Sequence, residues 1–253
     1  CLNYGCVPSK ALIASAKQAH AMSHGAKYGV GEVKAQVDYA AAKDHVHDVI
    51  ATIAPVDSVE RFEGLGVHVI SEFGTFISKT EVQAGDTIIE ARRFVVSTGS
   101  GPFVPPIPGI ESVTYYTNED IFDLREKPKH LLVIGGGPIG MEMAQAHRRL
   151  GCEVTVIEGM KALGKDDPEM AEIVLENLRA EGINIVEEAQ AEKISSKGGA
   201  VTVHTPKGDF TGSHLLMAVG RKVNTDKLDL DAGGIAHDRS GVKVGPALRS
   251  VTN

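Results

Sequence analysis

The order of apolar and polar residues changes period twice between Leu131 and Glu158. Leu131 to Ile134 is an unbroken apolar run, which suits a strand buried on both faces. From Ile139 to Leu150 the apolar positions recur at helical spacing, with Ile139, Met143, Ala146 and Leu150 on one face, and Gly151 stops the helix. Glu153 to Ile157 is rich in β-branched residues and reads as a second strand. Further on, Asp166 and Asp167 cap a helix that opens at Pro168, with Met170, Ile173, Val174, Leu175 and Leu178 as its buried face and Gly182 at its end. A strand over Ile183 to Val186 follows. Ala191 to Phe210 reads as a hairpin pair turning at Lys197-Gly198-Gly199 and Lys207-Gly208-Asp209, before a strand over Leu215 to Gly220. Upstream, Pro8 marks the first turn of a helix that continues through Ala11 to His24, with Leu12, Ile13 and Ala16 on its apolar side. Tyr39 to Ile53 is helical, with Val46, Val49, Ile50 and Ile53 as core positions, and Val56 to Glu63 forms one short helix more. Val67 to Thr98 shortens its period toward two and predicts a small meander followed by a strand over Arg93 to Ser97. The pattern is that of an α/β chain in two domains, with a parallel sheet in the second and a boundary near Lys127.

Gly135, Gly137 and Gly140 give G-x-G-x-x-G between the first strand and the helix. The first glycine permits the tight turn, the second admits a pyrophosphate to the backbone, and the third lets helix and strand pack closely. Pro138 lacks an N–H but sits where a helix needs none. Glu158 closes the second strand within about 20 residues of the last glycine, where a carboxylate accepts hydrogen bonds from ribose hydroxyls. It would repel a 2′-phosphate, so NAD is favoured over NADP, with Lys161 as the one nearby cation that argues for NADP. A glycine turn without a nucleotide is the alternative, disfavoured by the strand, helix and acid that surround this one.

The chain has 253 residues, 42% apolar and 23% charged, with a net charge of −7 and a pI of about 5.8. No basic tract is present, which argues against a nucleic-acid partner. No apolar run approaches the roughly 20 residues of a membrane span. Three cysteines are too few for a disulfide scaffold and point to the cytoplasm, where a paired cysteine is catalytic. Cys1 and Cys6 would lie about 140° apart on a regular helix. A bridge between them therefore needs distorted backbone, and a strained bridge is easily reduced. Cys6 falls at the positive end of the helix opened around Pro8, and Lys10 stands one turn beyond on the same face, so both favour a thiolate. His20 and His24 lack a third ligand and read as a solvated face, and no metal site is expected. His45 and His47 point apart and take no role, and Cys152 reads as a small core residue.

C-L-N-x-G-C-V-P-S-K, from Cys1 to Lys10, resembles the redox motif of the class I pyridine nucleotide–disulfide oxidoreductases. The resemblance implies a flavoprotein fragment. Residues 1–127 would be a partial FAD-binding domain with the redox-active helix, and residues 128–253 a Rossmann-like NAD-binding domain. It implies that Cys1 is the interchange thiol, that Cys6 lies against the flavin, and that Lys10 approaches the flavin's reactive nitrogen. Glu142 would pair with Lys10, the alternative being a solvent-facing helix acid. Thr98 and Gly99 lie in a segment similar to the family's A-T-G-S-R-P, where backbone passes close to FAD, with Ser97 for the Ala and Gly101 for the Arg. Gly220 and Arg221 open a segment similar to G-R-x-P-N-T, which flanks NAD, with Val223 for the Pro. Gly135, Gly137, Pro138, Ile139, Gly140 and Glu158 complete the cofactor set. The family's FAD pyrophosphate motif, its second flavin-contacting segment and its dimerisation domain have no counterpart here. A fragment of a homodimeric parent is therefore expected, holding FAD poorly and turning over little. The implied reaction moves electrons between NAD(H), FAD and a Cys1–Cys6 disulfide to a small disulfide or dithiol, as in dihydrolipoamide dehydrogenase. Hg(II) reduction of the mercuric reductase type is the alternative within the family. A non-catalytic NAD-binding or redox-sensing module is the alternative outside it.

Overall fold

The computed structural model describes residues 1–252, apart from the side chain of Lys27; Asn253 lies outside the described residues. Packing divides the chain into two units. The first joins Cys1–Val56 to Pro102–Gly220, and the second joins Asp57–Gly101 to the residues from Arg221 on. This grouping differs from a single boundary near Lys127: the front helices share one hydrophobic core with the parallel sheet.

In the first unit, helices α1 (Cys6–Met22) and α2 (Tyr39–Ile53) precede a βαβαβ run. That run is β1 (His130–Ile134), α3 (Pro138–Arg149), β2 (Glu153–Ile157), α4 (Pro168–Ala180) and β3 (Asn184–Val186). An antiparallel meander follows, β4 (Lys193–Lys197), β5 (Ala200–Thr205) and β6 (Gly208–Gly212), and β7 (His214–Met217) closes the run. The sheet order is β7-β1-β2-β3, all parallel, with Leu131 opposite both Val154 and His214. Alternate residues feed two cores. Leu131, Val133, Val154, Val156 and Leu216 face Leu12 and Ala16 of α1, Val46 of α2, Met143 and Leu150 of α3 and Leu175 of α4. Leu132, Ile134, Leu215 and Met217 face Ile194, Val201 and Val203 of the meander. Coverage on both faces is why the first strand is apolar throughout.

Several expected faces differ. The buried residues of α4 are Ala171, Leu175 and Leu178, whereas Met170, Ile173 and Val174 are exposed, so that face is corrected. The helix is apolar on two sides, and the sheet accepts the side carrying the smaller residue. In α3, Met143 and Ala146 are buried as expected but Ile139, in the first turn, is 42% exposed. Helix α1 ends at Met22, two residues short, and the last sheet strand is His214–Met217.

The first core also holds polar groups that periodicity did not announce. Lys43 is fully buried, donates to the Ile121 carbonyl at 2.8 Å, and sits 5.1 Å from the Tyr39 ring centroid. Burial pulls its amine down to about 7, opposed by the nearby Cys152 and Asp123. His147, also fully buried, has Nδ1 at 2.8 Å from the Met143 carbonyl and Nε2 at 3.0 Å from the Tyr39 hydroxyl. A carbonyl only accepts, so Nδ1 carries the proton and Nε2 accepts from Tyr39. Burial, then the charge of Lys43, pulls this imidazole down to about 3. The same burial raises the Tyr39 phenol and pushes the Cys152 thiol up to about 11, which keeps it an inert core residue.

The second unit is built on an antiparallel ladder of Gly74–Phe76, Glu81–Ala84 and Thr87–Glu90. Phe76 anchors a small core with Leu230 and Ile235, and Phe94 meets its ring edge-on at 5.2 Å. Ser58 caps the helix Val59–Gly64 by accepting from the Arg61 N–H at 3.2 Å. Arg93 to Ser97 forms no strand, a correction to the sequence reading: among the described residues no neighbour pairs with it, and Val95 is 90% exposed. β-Branched composition makes a segment extended, but a ladder needs a second chain segment.

Candidate functional site

The glycine turn links β1 to α3. Gly135 adopts φ +114° and donates to the Ile157 carbonyl at 2.9 Å, and a side chain there would run into the Ala218 carbonyl. A side chain on Gly140 would meet the carbonyl of Gly135 itself, so strand and helix meet here only through glycine. Gly137 differs: a Cβ there would touch nothing of the chain. Its open side lies beside the unsatisfied N–H groups at the start of α3, where Pro138 takes the first position. The space is therefore the cradle that a pyrophosphate fits.

Glu158 stands at the end of β2, against this turn. One carboxylate oxygen accepts from the Gly136 N–H at 2.6 Å and the other from the Met160 N–H at 2.8 Å. The acid expected to meet a ribose is thus fixed in orientation by the loop it serves. Beside it, Lys161, Val186, Glu187, Glu188 and Lys207 line a polar cavity of about 470 Å³.

The thiols lie in the same unit. Cys1 and Cys6 are exposed, unbonded, and 3.0 Å apart at sulfur. Cys6 is the first residue of α1, and the Cys1 carbonyl accepts from the Val7 N–H at 3.1 Å, which bends the front segment back over the helix start. Asn118 fixes that bend by donating to the Tyr4 carbonyl at 2.7 Å. Sequence reading missed Asn118, because nothing local links a residue so far along the chain to the turn. One turn into α1, Lys10 Nζ meets Glu142 Oε1 at 2.5 Å, although both side chains are about half exposed. The contact joins the thiol helix to the helix that follows the glycine turn, and the expected pair is present. His20 and His24 stack with ring centroids 3.8 Å apart.

The remaining expected residues gather in the second unit. Asn224 donates to the carbonyls of Thr98 and Gly99, at 3.0 Å in each case, from its side chain and backbone respectively. The Arg221 guanidinium holds Ser100 through Oγ at 2.7 Å and through its carbonyl. So Thr98, Gly99 and Arg221 form one cluster. Cys1, Cys6, Lys10, Glu142, Gly135 to Gly140, Glu158 and Gly220 belong to the first unit and are not part of it.

The helix after the glycine turn is thus tied, through Glu142 and Lys10, to the helix that opens at Cys6 beside Cys1. By comparison with known proteins, the chain belongs to the pyridine nucleotide-disulphide oxidoreductase family, which matches residues 1–253. It is 32% identical to a mercuric reductase from Lysinibacillus sphaericus over 93% of its own length and 44% of that protein's. It is 34% identical to a dihydrolipoyl dehydrogenase from Chlamydia pneumoniae over 96% of its length and 53% of that protein's. Among solved structures it is similar to the HOCl-induced flavoprotein disulfide reductase RclA from Escherichia coli. The TM-score there is 0.84 at 28% identity, covering the whole chain and 55% of the other. LpdA from Mycobacterium tuberculosis gives a TM-score of 0.85 at 26% identity, over 99% and 57%. The chain thus spans about half the length of the proteins it matches. The family uses FAD and a pyridine nucleotide. No helix among the described residues is long and apolar enough to cross a membrane.

Proposed function

We propose that the chain carries the dithiol and nicotinamide-binding part of an FAD-dependent oxidoreductase acting on a small disulfide or dithiol. The observation that carries this reading is the pair of sulfurs 3.0 Å apart at the start of a helix that is tied through Lys10 and Glu142 to the helix after the dinucleotide turn. Gly135, Gly137, Pro138, Ile139, Gly140 and Glu158 would hold the nicotinamide dinucleotide, with Gly220 beside it. The cavity lined by Lys161 and Val186 would take its adenosine end. Thr98, Gly99 and Arg221 would border FAD. Both oxygens of Glu158 are already set by backbone donors, which favours ribose hydroxyls over a 2′-phosphate and hence NAD.

The thiol chemistry balances on this chain's own residues. A Cys1 thiolate attacks a substrate disulfide, one substrate thiol leaves, and a mixed disulfide forms. Cys6, already in contact, attacks the Cys1 sulfur; the second substrate thiol leaves and a Cys1–Cys6 bond remains. Two protons go to the products. When bound, the nicotinamide and flavin supply the electron pair that restores the dithiol. Lys10 places a cation one turn from Cys6, and Glu142 holds that cation in place. The mercuric reductases among its relatives support a second reading, in which the same two sulfurs bind Hg(II). The cytoplasm, which keeps such a pair reducible, belongs to the proposal.

The test is NADH-dependent thiol release from an aromatic disulfide with FAD added. Activity that disappears in Cys1→Ser supports the reading. Activity unchanged in Cys1→Ser, or tight NADH binding with no disulfide reduction, would favour a nucleotide-binding module instead.

A further inference from the structure

The outward face of the meander carries a second arrangement of chemical groups. Across β4, β5 and β6, Ser195 Oγ lies 2.8 Å from His204 Nε2, and His204 Nδ1 lies 2.9 Å from Asp209 Oδ1. A carboxylate only accepts, so the proton sits on Nδ1. In the neutral imidazole, Nε2 then keeps its lone pair and accepts from the Ser195 hydroxyl. That is the tautomer a general base needs, held by a third group, with a hydroxyl already in reach.

Strand register makes this placement definite. His204 stands directly opposite Asp209 on one side and Lys193 on the other, and Ser195 is two residues beyond Lys193. All four therefore share one face, while Ile194, Val201 and Val203 point the other way into the core. The face is open: the His204 side chain is 32% exposed and that of Asp209 61%, with Ser195 half-buried and Lys193 exposed. Lys193 adds an exposed cationic residue to the same face, two positions from Ser195 on its strand. Neighbouring Thr202 and Thr211 pair at 2.8 Å as a plain hydroxyl ladder, which shows that this face can be satisfied without an acid, a base and a nucleophile in series.

We propose that Ser195, His204 and Asp209 form an acyl-transfer site for small activated esters, separate from the dithiol chemistry. Ser195 Oγ attacks the ester carbonyl and its proton passes to His204 Nε2. The acyl–oxygen bond breaks, the leaving alkoxide takes that proton, and an acyl-serine remains. Water, deprotonated by the same imidazole, then releases the acid. Asp209 acts as a positioning residue, fixing the tautomer without touching substrate.

The probe is a tagged fluorophosphonate, which forms a phosphorus–oxygen bond to an activated serine as fluoride leaves. The whole chain is labelled after its thiols are blocked with iodoacetamide, and the adduct is located by peptide mapping. Labelling at Ser195 is expected, absent in Ser195→Ala and slowed about 10²-fold in His204→Gln. In Asp209→Asn the rate should fall and its pH profile should shift, which loss of a merely structural contact would not produce. Release of p-nitrophenolate from p-nitrophenyl acetate should follow the same order of variants. An unlabelled Ser195, or equal labelling in His204→Gln, would overturn the assignment.

Discussion

Neutral burial of His147 should make this protein lose stability toward acid pH, in a way one substitution should cure. In the fold the imidazole is driven from 6.5 to about 3, chiefly by burial and secondly by Lys43. Between those two values the unfolded chain binds a proton that the folded chain refuses, so stability falls as pH falls. It is fully present above about pH 6.5 and lost progressively toward pH 3. At about 1.4 kcal/mol per pH unit the whole interval amounts to about 5 kcal/mol, a large part of a typical domain's stability. His147→Gln keeps an acceptor facing the Tyr39 hydroxyl and cannot titrate. Urea unfolding at intervals from pH 4 to pH 7 should show a steep pH dependence in the parent chain. In the variant that dependence should be shallower by about 1.4 kcal/mol per unit, whatever its stability at pH 7. Equal slopes would mean that the buried imidazole is protonated or solvated in the fold, and the reasoning would fail.

Lys43 has the corresponding behaviour at higher pH. Its amine is drawn down from 10.5 to about 7, so stability should rise from pH 7 toward pH 10, and Lys43→Met should remove that rise in the same unfolding assay. Glu158→Ala should weaken NADH binding far more than NADPH binding, read by fluorescence titration, because it removes the carboxylate held by Gly136 and Met160. Retained NADH preference would sink the assignment. Leu12→Ala, in the face of α1 packed against α2 and α3, should cost about 2–5 kcal/mol by thermal or urea unfolding. Glu142→Gln leaves the fold intact but should slow NADH-dependent disulfide reduction, measured with FAD added, because it frees the Lys10 ammonium from its partner.

What could be read from the chain was local chemistry at fixed spacing. The turn at Gly135, Gly137 and Gly140 was legible because its spacing lies within a few residues, between a strand and a helix that their own patterns announce. The same holds for Asp167, whose carboxylate caps α4 through the N–H groups of Glu169 and Met170. The thiol pair and its lysine were legible for a similar reason: one short stretch, Cys1 to Lys10, carries all three. The face of α4 was not legible, because Met170, Ile173 and Val174 satisfy helical periodicity as well as the buried set does. Only the position of the sheet chooses between two apolar sides. Arg93 to Ser97 shows the converse, a strand-like composition without a neighbour to pair with.

By itself the sequence determined the elements that close within a few residues: caps, turns, helix spans, and the dinucleotide and dithiol motifs. Tertiary structure alone decided what depends on segments far apart in the chain. It buried Lys43 and His147 together, brought Lys10 to Glu142, fixed Asn118 on the thiol turn, and aligned Ser195, His204 and Asp209 across three strands. The physical reason is that a charge, a proton position or a hydrogen-bond partner is set by the neighbours packed around it, and those neighbours exist only once the sheet and helices have come together.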